Sequence, residues 1–240
     1  MKTFISAIKL EIEGLDYGQI LVSFAIILEV GHLRLSNVKY QLETDCEDYH
    51  VLSNAVKQIK GVPGIVCEIG TRRGGSMKLI IDSLLENNDL NRNVIGIDPY
   101  GNIEYVSSEG ESIRYDYTNN MRNETMVALY DYVIDKPINL IMFHMEDTEF
   151  FKRYADGVPF YNNYKVVENN YSLVFFDGPH GLQAIHNEMQ FFWNKSPIGS
   201  MWVVDDIHVI DYPTLKNILE DSGFELVEST KIKASFRRIR

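Results

Sequence analysis

Apolar positions along this chain recur with two periods that alternate. Ile65 to Ile69 is continuously apolar apart from Glu68, the pattern of a buried strand, and Gly70 follows at once. Met77 to Leu85 then runs at helical spacing, with Met77, Ile80, Ile81 and Leu84 on one face. Between the two, Gly70, Gly74 and Gly75 predict a tight turn, and Ser76 stands where a hydroxyl can cap a helix start. The alternation repeats downstream. Further strands are predicted at Asn93–Asp98, Ile138–Phe143, Tyr171–Asp177 and Ile198–Val204. Helices are predicted at Glu47–Lys60, near Asn120–Ile134, at Leu182–Trp193 and near Pro213–Ser222. Thr118 and Asn119 signal the start of the second of these, and Pro137 follows its end. Phe224–Ser229 and Lys231–Ile239 close the chain as two strands joined by a short turn. Strands alternating with helices, then a hairpin, predict an α/β fold: a seven-stranded, mostly parallel sheet with an antiparallel C-terminal strand and helices on both faces.

Other stretches do not follow this pattern. Residues 1–46 read as an N-terminal extension ahead of a main domain at 47–240. Within it Gln19–Leu33 is strongly apolar and fits either a buried helix or a strand. Packing against the main domain or across a homodimer is the favoured role, with a lid over the site as the alternative. The apolar run Ile20–Leu28 is broken by Glu29 and falls short of a membrane span, and charges interrupt the first residues too early for a signal peptide. Residues 99–118 and 157–170 read as long polar, Tyr-rich surface loops that could lie over a site.

Charge narrows the partners. Of 240 residues, 23 are Lys or Arg and 34 are Asp or Glu, giving a net charge of −11. That disfavours nonspecific binding to nucleic acid or an anionic membrane, without excluding a local basic patch. The two cysteines, Cys46 and Cys67, form no disulfide framework and favour a reducing compartment, so a cytoplasmic protein is expected.

The strand–turn–helix at 65–85 makes the kind of crevice in which open α/β sheets bind ligands. It is not a phosphate loop, since no Gly-Lys-Ser/Thr follows the first glycine at the required distance. As a dinucleotide fingerprint it lacks the second glycine, which disfavours a nicotinamide enzyme. Asp98 ends the second strand about twenty residues beyond the turn, where an acid accepts from ribose hydroxyls; the plainer role is to cap a turn. Asp177 ends the fourth strand and Asp205 and Asp206 the fifth. Three carboxylates converging on one crevice call for a cation, and all-oxygen ligation suits Mg²⁺ or another hard divalent ion. The alternative is that Asp205 and Asp206 only cap the next segment.

The Glu68-x-Gly70-x-x-x-Gly74-x-Ser76 pattern resembles the first motif of class I S-adenosylmethionine-dependent methyltransferases, which have a Rossmann-like fold. Leu173–Gly181 and Gly199–Ile207 resemble the matching segments of metal-dependent small-molecule O-methyltransferases, nearest the macrocin-type sugar enzymes. The resemblance covers about residues 60–210. It implies that Glu68, Gly70, Thr71, Arg72, Gly74 and Ser76 bind S-adenosylmethionine, with Asp98 on its ribose and Glu146 or Asp147 on its adenine. It also implies that Asp177, Asp205 and Asp206 hold Mg²⁺. His180 stands where the catechol-type enzymes carry a basic lysine, so His180 or Asp177 is the expected base, with His186 and His208 in reserve. The acceptor would be a hydroxyl of a sugar or an aromatic ring. Two rivals stay open: a relative with the same metal motifs and other chemistry, such as the cephalosporin-hydroxylase-like proteins, and a non-catalytic cofactor-binding protein.

Overall fold

The computed structural model describes residues 41–44, 47–101, 118–179 and 181–240, and the backbone of 104–106 and 112–114. The extension up to residue 40, Cys46, Tyr115, Tyr117 and His180 lie outside the described residues. Five helices and a sheet follow the sequence periods closely. Helix α1 is Tyr49–Gln58, strand β1 Ile65–Ile69, helix α2 Gly75–Glu86 and strand β2 Arg92–Ile97. After two short strands, β3 (Glu104–Val106) and β4 (Ser112–Arg114), come α3 (Asn119–Val133) and β5 (Ile138–Phe143). Then follow α4 (Asp147–Arg153), β6 (Val158–Tyr161), β7 (Lys165–Glu168), β8 (Tyr171–Phe176) and α5 (Leu182–Trp193). The chain ends with β9 (Met201–Val204), a 3-10 turn at Ile207–Val209, α6 (Tyr212–Asp221), β10 (Phe224–Ser229) and β11 (Ala234–Arg238).

Seven strands make one sheet in the order β10-β11-β9-β8-β1-β2-β5. Pairs β9–β8, β8–β1, β1–β2 and β2–β5 are parallel, and β11 runs antiparallel to both neighbours. The predicted architecture is therefore the observed one. Side chains alternate between the faces of the sheet, so each strand feeds two cores. Cys67, Ile69, Val174, Phe176, Trp202 and Val204 pack with α4, α5 and α6 through Phe150, Ile185, Met189, Phe192, Leu215 and Leu219. Val66, Leu173, Phe175, Met201 and Val203 pack with α1, α2 and α3 through Val51, Leu52, Met77, Ile80 and Leu129.

Three expectations change. The loops at 99–118 and 157–170 each contain a hairpin, β3–β4 and β6–β7. The second is anchored, because Val158 and Phe160 alternate into the core while Tyr161 and Tyr164 stay exposed. Strand β9 starts three residues later than expected, because Ser200 N–H closes a turn on Pro197 O and leaves Ile198 exposed. Residues 41–44 belong with the main unit, where Glu43 bridges Gly74. Among the described residues no helix is long and apolar enough to cross a membrane.

Candidate functional site

The parallel strands stop pairing at one level. Phe143, Ile97, Ile69, Phe176, Val204 and Ala234 are successive partners across six strands. The next residue beyond each parallel strand is His144, Asp98, Gly70, Asp177 or Asp205, and Lys233 immediately precedes Ala234. Backbone bonds carry the ladder into this row. Asp98 N–H donates to Phe143 O, Gly70 N–H to Ile97 O, Asp177 N–H to Ile69 O and Asp205 N–H to Phe176 O, all within 3.0 Å. Register thus lines up chemistry from distant parts of the chain along one edge. Strand order reverses between β1 and β8, so Gly70 and Asp177 flank the switch point where such sheets bind ligands.

Close approach shapes the β1–α2 turn. Gly70 has φ +86°, and a Cβ there would lie 1.9 Å from Asp177 O. Gly74, at φ +79°, is the N-cap of α2, and a Cβ on Gly75 would lie 2.3 Å from Glu43 O. Ser76 is not the cap expected from the sequence; it sits inside the helix, buried, beside Glu68. Arg72, also in the left-handed region at φ 44°, is held by its backbone. Its N–H donates to Asp98 Oδ2 at 2.8 Å, and its carbonyl accepts from Tyr100 Oη at 2.7 Å and Thr125 Oγ1 at 3.2 Å. Arg73 pairs with Glu43 at 3.7 Å on the surface.

Asp98 is nearly buried, and its Oδ1 accepts from Tyr100 N–H at 3.1 Å. Burial raises its pKa, and the amides of Arg72, Tyr100 and Thr71 draw it back down. In this state the residue clamps the turn. Each carboxylate oxygen can accept a second hydrogen bond, so clamping leaves capacity for a hydroxyl.

Glu68 is the anomaly of the site. It is fully buried, and its carboxyl oxygens make no hydrogen bond of good geometry among the described residues; the Ser76 and Thr71 hydroxyls lie close enough to act on it without saturating it. Burial pushes its pKa up to about 8, and the nearby Ser76 and Thr71 hydroxyls only moderate that. An unsatisfied buried carboxyl is costly and persists where a ligand supplies the missing partner. An ammonium is such a partner, and the amino acid end of S-adenosylmethionine carries one. The residues of the β1–α2 turn therefore fit the cofactor.

Of the acid trio, the fold brings Asp177 and Asp205 together at adjacent strand ends; Asp206 does not join them in a three-carboxylate cluster. Burial, then the carboxylates of Asp205 and Glu68, raise Asp177 well above the usual carboxylate range, and Lys233 opposes the rise. Asp205 Oδ1 accepts from Asp206 N–H at 2.7 Å, and Asp205 Oδ2 contacts Lys233 Nζ at 2.5 Å. Asp206, at φ 48°, opens the 3-10 turn, with His208 Nδ1 3.8 Å from its Oδ1. Among the described residues no group of three His, Cys, Asp or Glu side chains could hold a metal ion. The Lys233 ammonium on Asp205 Oδ2 sets a like charge against any divalent ion there, so the donor set as placed does not suit Mg²⁺.

Of the other expected residues, Glu146 is the exposed N-cap residue of α4 and Asp147 its first helical residue. Asp147 faces Glu188 of α5, and burial first, then Asp147, raises the Glu188 pKa well above normal. His186 lies on the exposed side of α5, 3.5 Å from Gln190. Sequence reading missed Lys233, His144, Tyr100 and Glu188. Glu188 left a signal, since it falls between Ile185 and Met189 on the buried face of α5. Lys233 left none, because it looks like any solvated residue of a hairpin turn.

No family model and no curated protein sequence matches the chain. Solved structures do. The O-methyltransferase NovP superposes with a TM-score of 0.55 at 18% identity, over 80% of this chain and 79% of its own. The S-adenosylhomocysteine-bound methyltransferase PaMTH1 of Podospora anserina gives 0.51 at 11% identity, over 95% and 99%. A methyltransferase of Geobacter sulfurreducens gives 0.51 at 9% identity, over 99% and 96%. The chain shares the Rossmann-like fold of these methyltransferases.

Proposed function

We propose that this chain, built on the class I methyltransferase fold, is an S-adenosylmethionine-dependent O-methyltransferase acting on a small-molecule hydroxyl of a sugar or an aromatic ring. One observation carries the reading: the buried carboxyl of Glu68, met only incompletely by the Ser76 and Thr71 hydroxyls, lies beside the glycine turn at the switch point of the sheet. Bound there, S-adenosylmethionine supplies a methyl group already activated on a sulfonium. The chain has to hold it and offer an oxygen nucleophile in line. In this reading Glu68 accepts the cofactor's ammonium and the Gly70–Gly74 turn lets backbone approach its methionine end. The spare lone pairs of Asp98 accept a ribose hydroxyl, and Glu146 or Asp147 meets the adenine amine. Asp177 stands across the switch point from Gly70. Its raised pKa makes the ionised carboxyl a competent base for the acceptor hydroxyl, and His180 is the second candidate for that role.

The test is a thermal-shift and calorimetric comparison of S-adenosylhomocysteine with NAD on the whole chain. S-adenosylhomocysteine is expected to stabilise the protein, NAD to leave it unchanged, and Glu68→Ala to abolish the effect. Stabilisation by NAD alone would overturn the reading.

A further inference from the structure

Among the described residues Lys233 is the one buried lysine, and it lies against Asp205 of the proposed reaction site. Antiparallel pairing of Ala234 with Val204 brings it level with Asp205, one step beyond the ladder. The two side chains are 0% and 2% exposed, with Nζ 2.5 Å from Oδ2. The ammonium also lies 5.2 Å from the Tyr49 ring centroid and 5.5 Å from that of Phe175, so aromatic faces line its surroundings. Its charge also acts on Asp177, which lies beyond Asp205 at the end of β8, two strands from β11. Desolvating an ammonium is expensive, and an ion pair at this depth does not stabilise a fold better than apolar packing would. The cost is intelligible if the carboxylates must stay together and ionisable at this spot. Two acids on adjacent strand ends repel, and a positive charge paired with Asp205, on its side away from Asp177, weakens that repulsion.

We propose that the Lys233 ammonium is the resident cation of this carboxylate row, paired with Asp205 where a divalent ion would otherwise offset the charge of the two acids. The inference rests on the row being the reaction site, as proposed above, and adds that the site is organised without a metal. Lys233 is then a positioning residue: it is too buried to touch an acceptor and acts by fixing Asp205 and, through it, Asp177. One consequence concerns the acceptor. A divalent ion recruits substrates that offer two oxygens to its coordination shell, whereas fixed carboxylates need only one hydroxyl. The acceptor class therefore includes molecules with an isolated hydroxyl, not only vicinal diols.

Mn²⁺ titration followed by electron paramagnetic resonance, on the full chain with and without S-adenosylhomocysteine, tests this directly. The wild-type protein is expected to show no saturable Mn²⁺ site, and EDTA to leave its melting midpoint unchanged. Lys233→Met, which keeps length and removes charge, is expected to gain a site roughly tenfold tighter or more than any wild-type binding. Lys233→Arg should behave as wild type, and adding Asp205→Asn to Lys233→Met should erase the gain. A lysine serving only to hold the fold would produce no new metal site when removed. One saturable wild-type site abolished by Asp205→Asn would overturn the proposal, and so would a folded Lys233→Met protein that gains none. If circular dichroism shows Lys233→Met unfolded, the wild-type titration decides alone. Failure to bind S-adenosylhomocysteine would count against the methyltransferase reading, while the Mn²⁺ result is still read in its absence.

Discussion

Gly70 and Gly61 share a backbone conformation but not a neighbourhood, and the difference separates two costs. Both have φ near +85°, at +86° and +83°, but a Cβ on Gly61 would meet nothing within 4 Å, whereas one on Gly70 would overlap Asp177 O. Gly61→Ala should lose only the left-handed strain, about 1–2 kcal/mol. Gly70→Ala must also push β1 and β8 apart at the switch point and should lose at least about 4 kcal/mol, or fail to fold. Urea unfolding of the two variants checks this; equal losses would mean that backbone approach is not the constraint. Glu68 makes a prediction in pH. Its folded pKa of about 8 lies above the ordinary glutamate value of 4.5, so between the two the native state holds a proton that the unfolded state has released. Stability from this group is complete below the unfolded value and is lost as pH rises through about 8. Glu68→Gln should flatten that decline and be the more stable protein at pH 8.5, by up to about 4 kcal/mol. A cofactor ammonium would favour the ionised carboxyl instead. S-adenosylhomocysteine binding below pH 8 should therefore release a proton, visible as a dependence of the calorimetric heat on buffer ionisation enthalpy.

At the scale of elements, local patterns were legible where one force dominated. Strands β1, β5 and β8 and helix α5 are continuous apolar or helix-period runs, and their observed bounds match the sequence reading to within a residue. The start of α3 was legible through its cap: Thr118 Oγ1 accepts from Met121 N–H at 3.1 Å. Thr118→Ala should cost about 1 kcal/mol in chemical denaturation, and Thr118→Ser close to nothing. Hairpin β6–β7 was missed because Pro159, Asn162 and Asn163 are loop residues by composition, while the signal that counted was the alternation of Val158 and Phe160. The site was half legible. Acids at strand ends could be named because each belongs to its own strand. Their joining into a row depends on strand order, and Lys233 enters only through the antiparallel register of β11, a tertiary fact with no local trace. Ser76 is not the cap for a related reason: the N-cap is Gly74, two residues earlier, which leaves Ser76 inside the first turn and buried.

The described residues of the main unit are arranged so that neither packing layer is expected to open alone. One sheet supplies both cores, and alternate residues of the same strand belong to different layers: Cys67 and Ile69 to one, Val66 to the other. Loosening α5 would uncover one face of β1 and β8, and loosening α1 and α2 the opposite face of the same strands. The two layers should therefore share one global unfolding transition instead of melting in turn. Hydrogen exchange read by mass spectrometry tests this, since buried amides of α1 and α5 should converge on one limiting free energy. The candidate site adds a second arm. The glycine turn belongs to β1 and α2, Asp177 to the end of β8, and Asp205 and Lys233 to β9 and β11, so a ligand bound at the switch point is linked to the unfolding of both layers. At a hundredfold excess over its dissociation constant, S-adenosylhomocysteine should add about 2.7 kcal/mol to that common limit. The increment should be the same for amides of α1, which packs on one face of the sheet, and of α5, which packs on the other. Protection confined to α2 and the turn would instead show that the ligand orders a local segment and that the layers open separately.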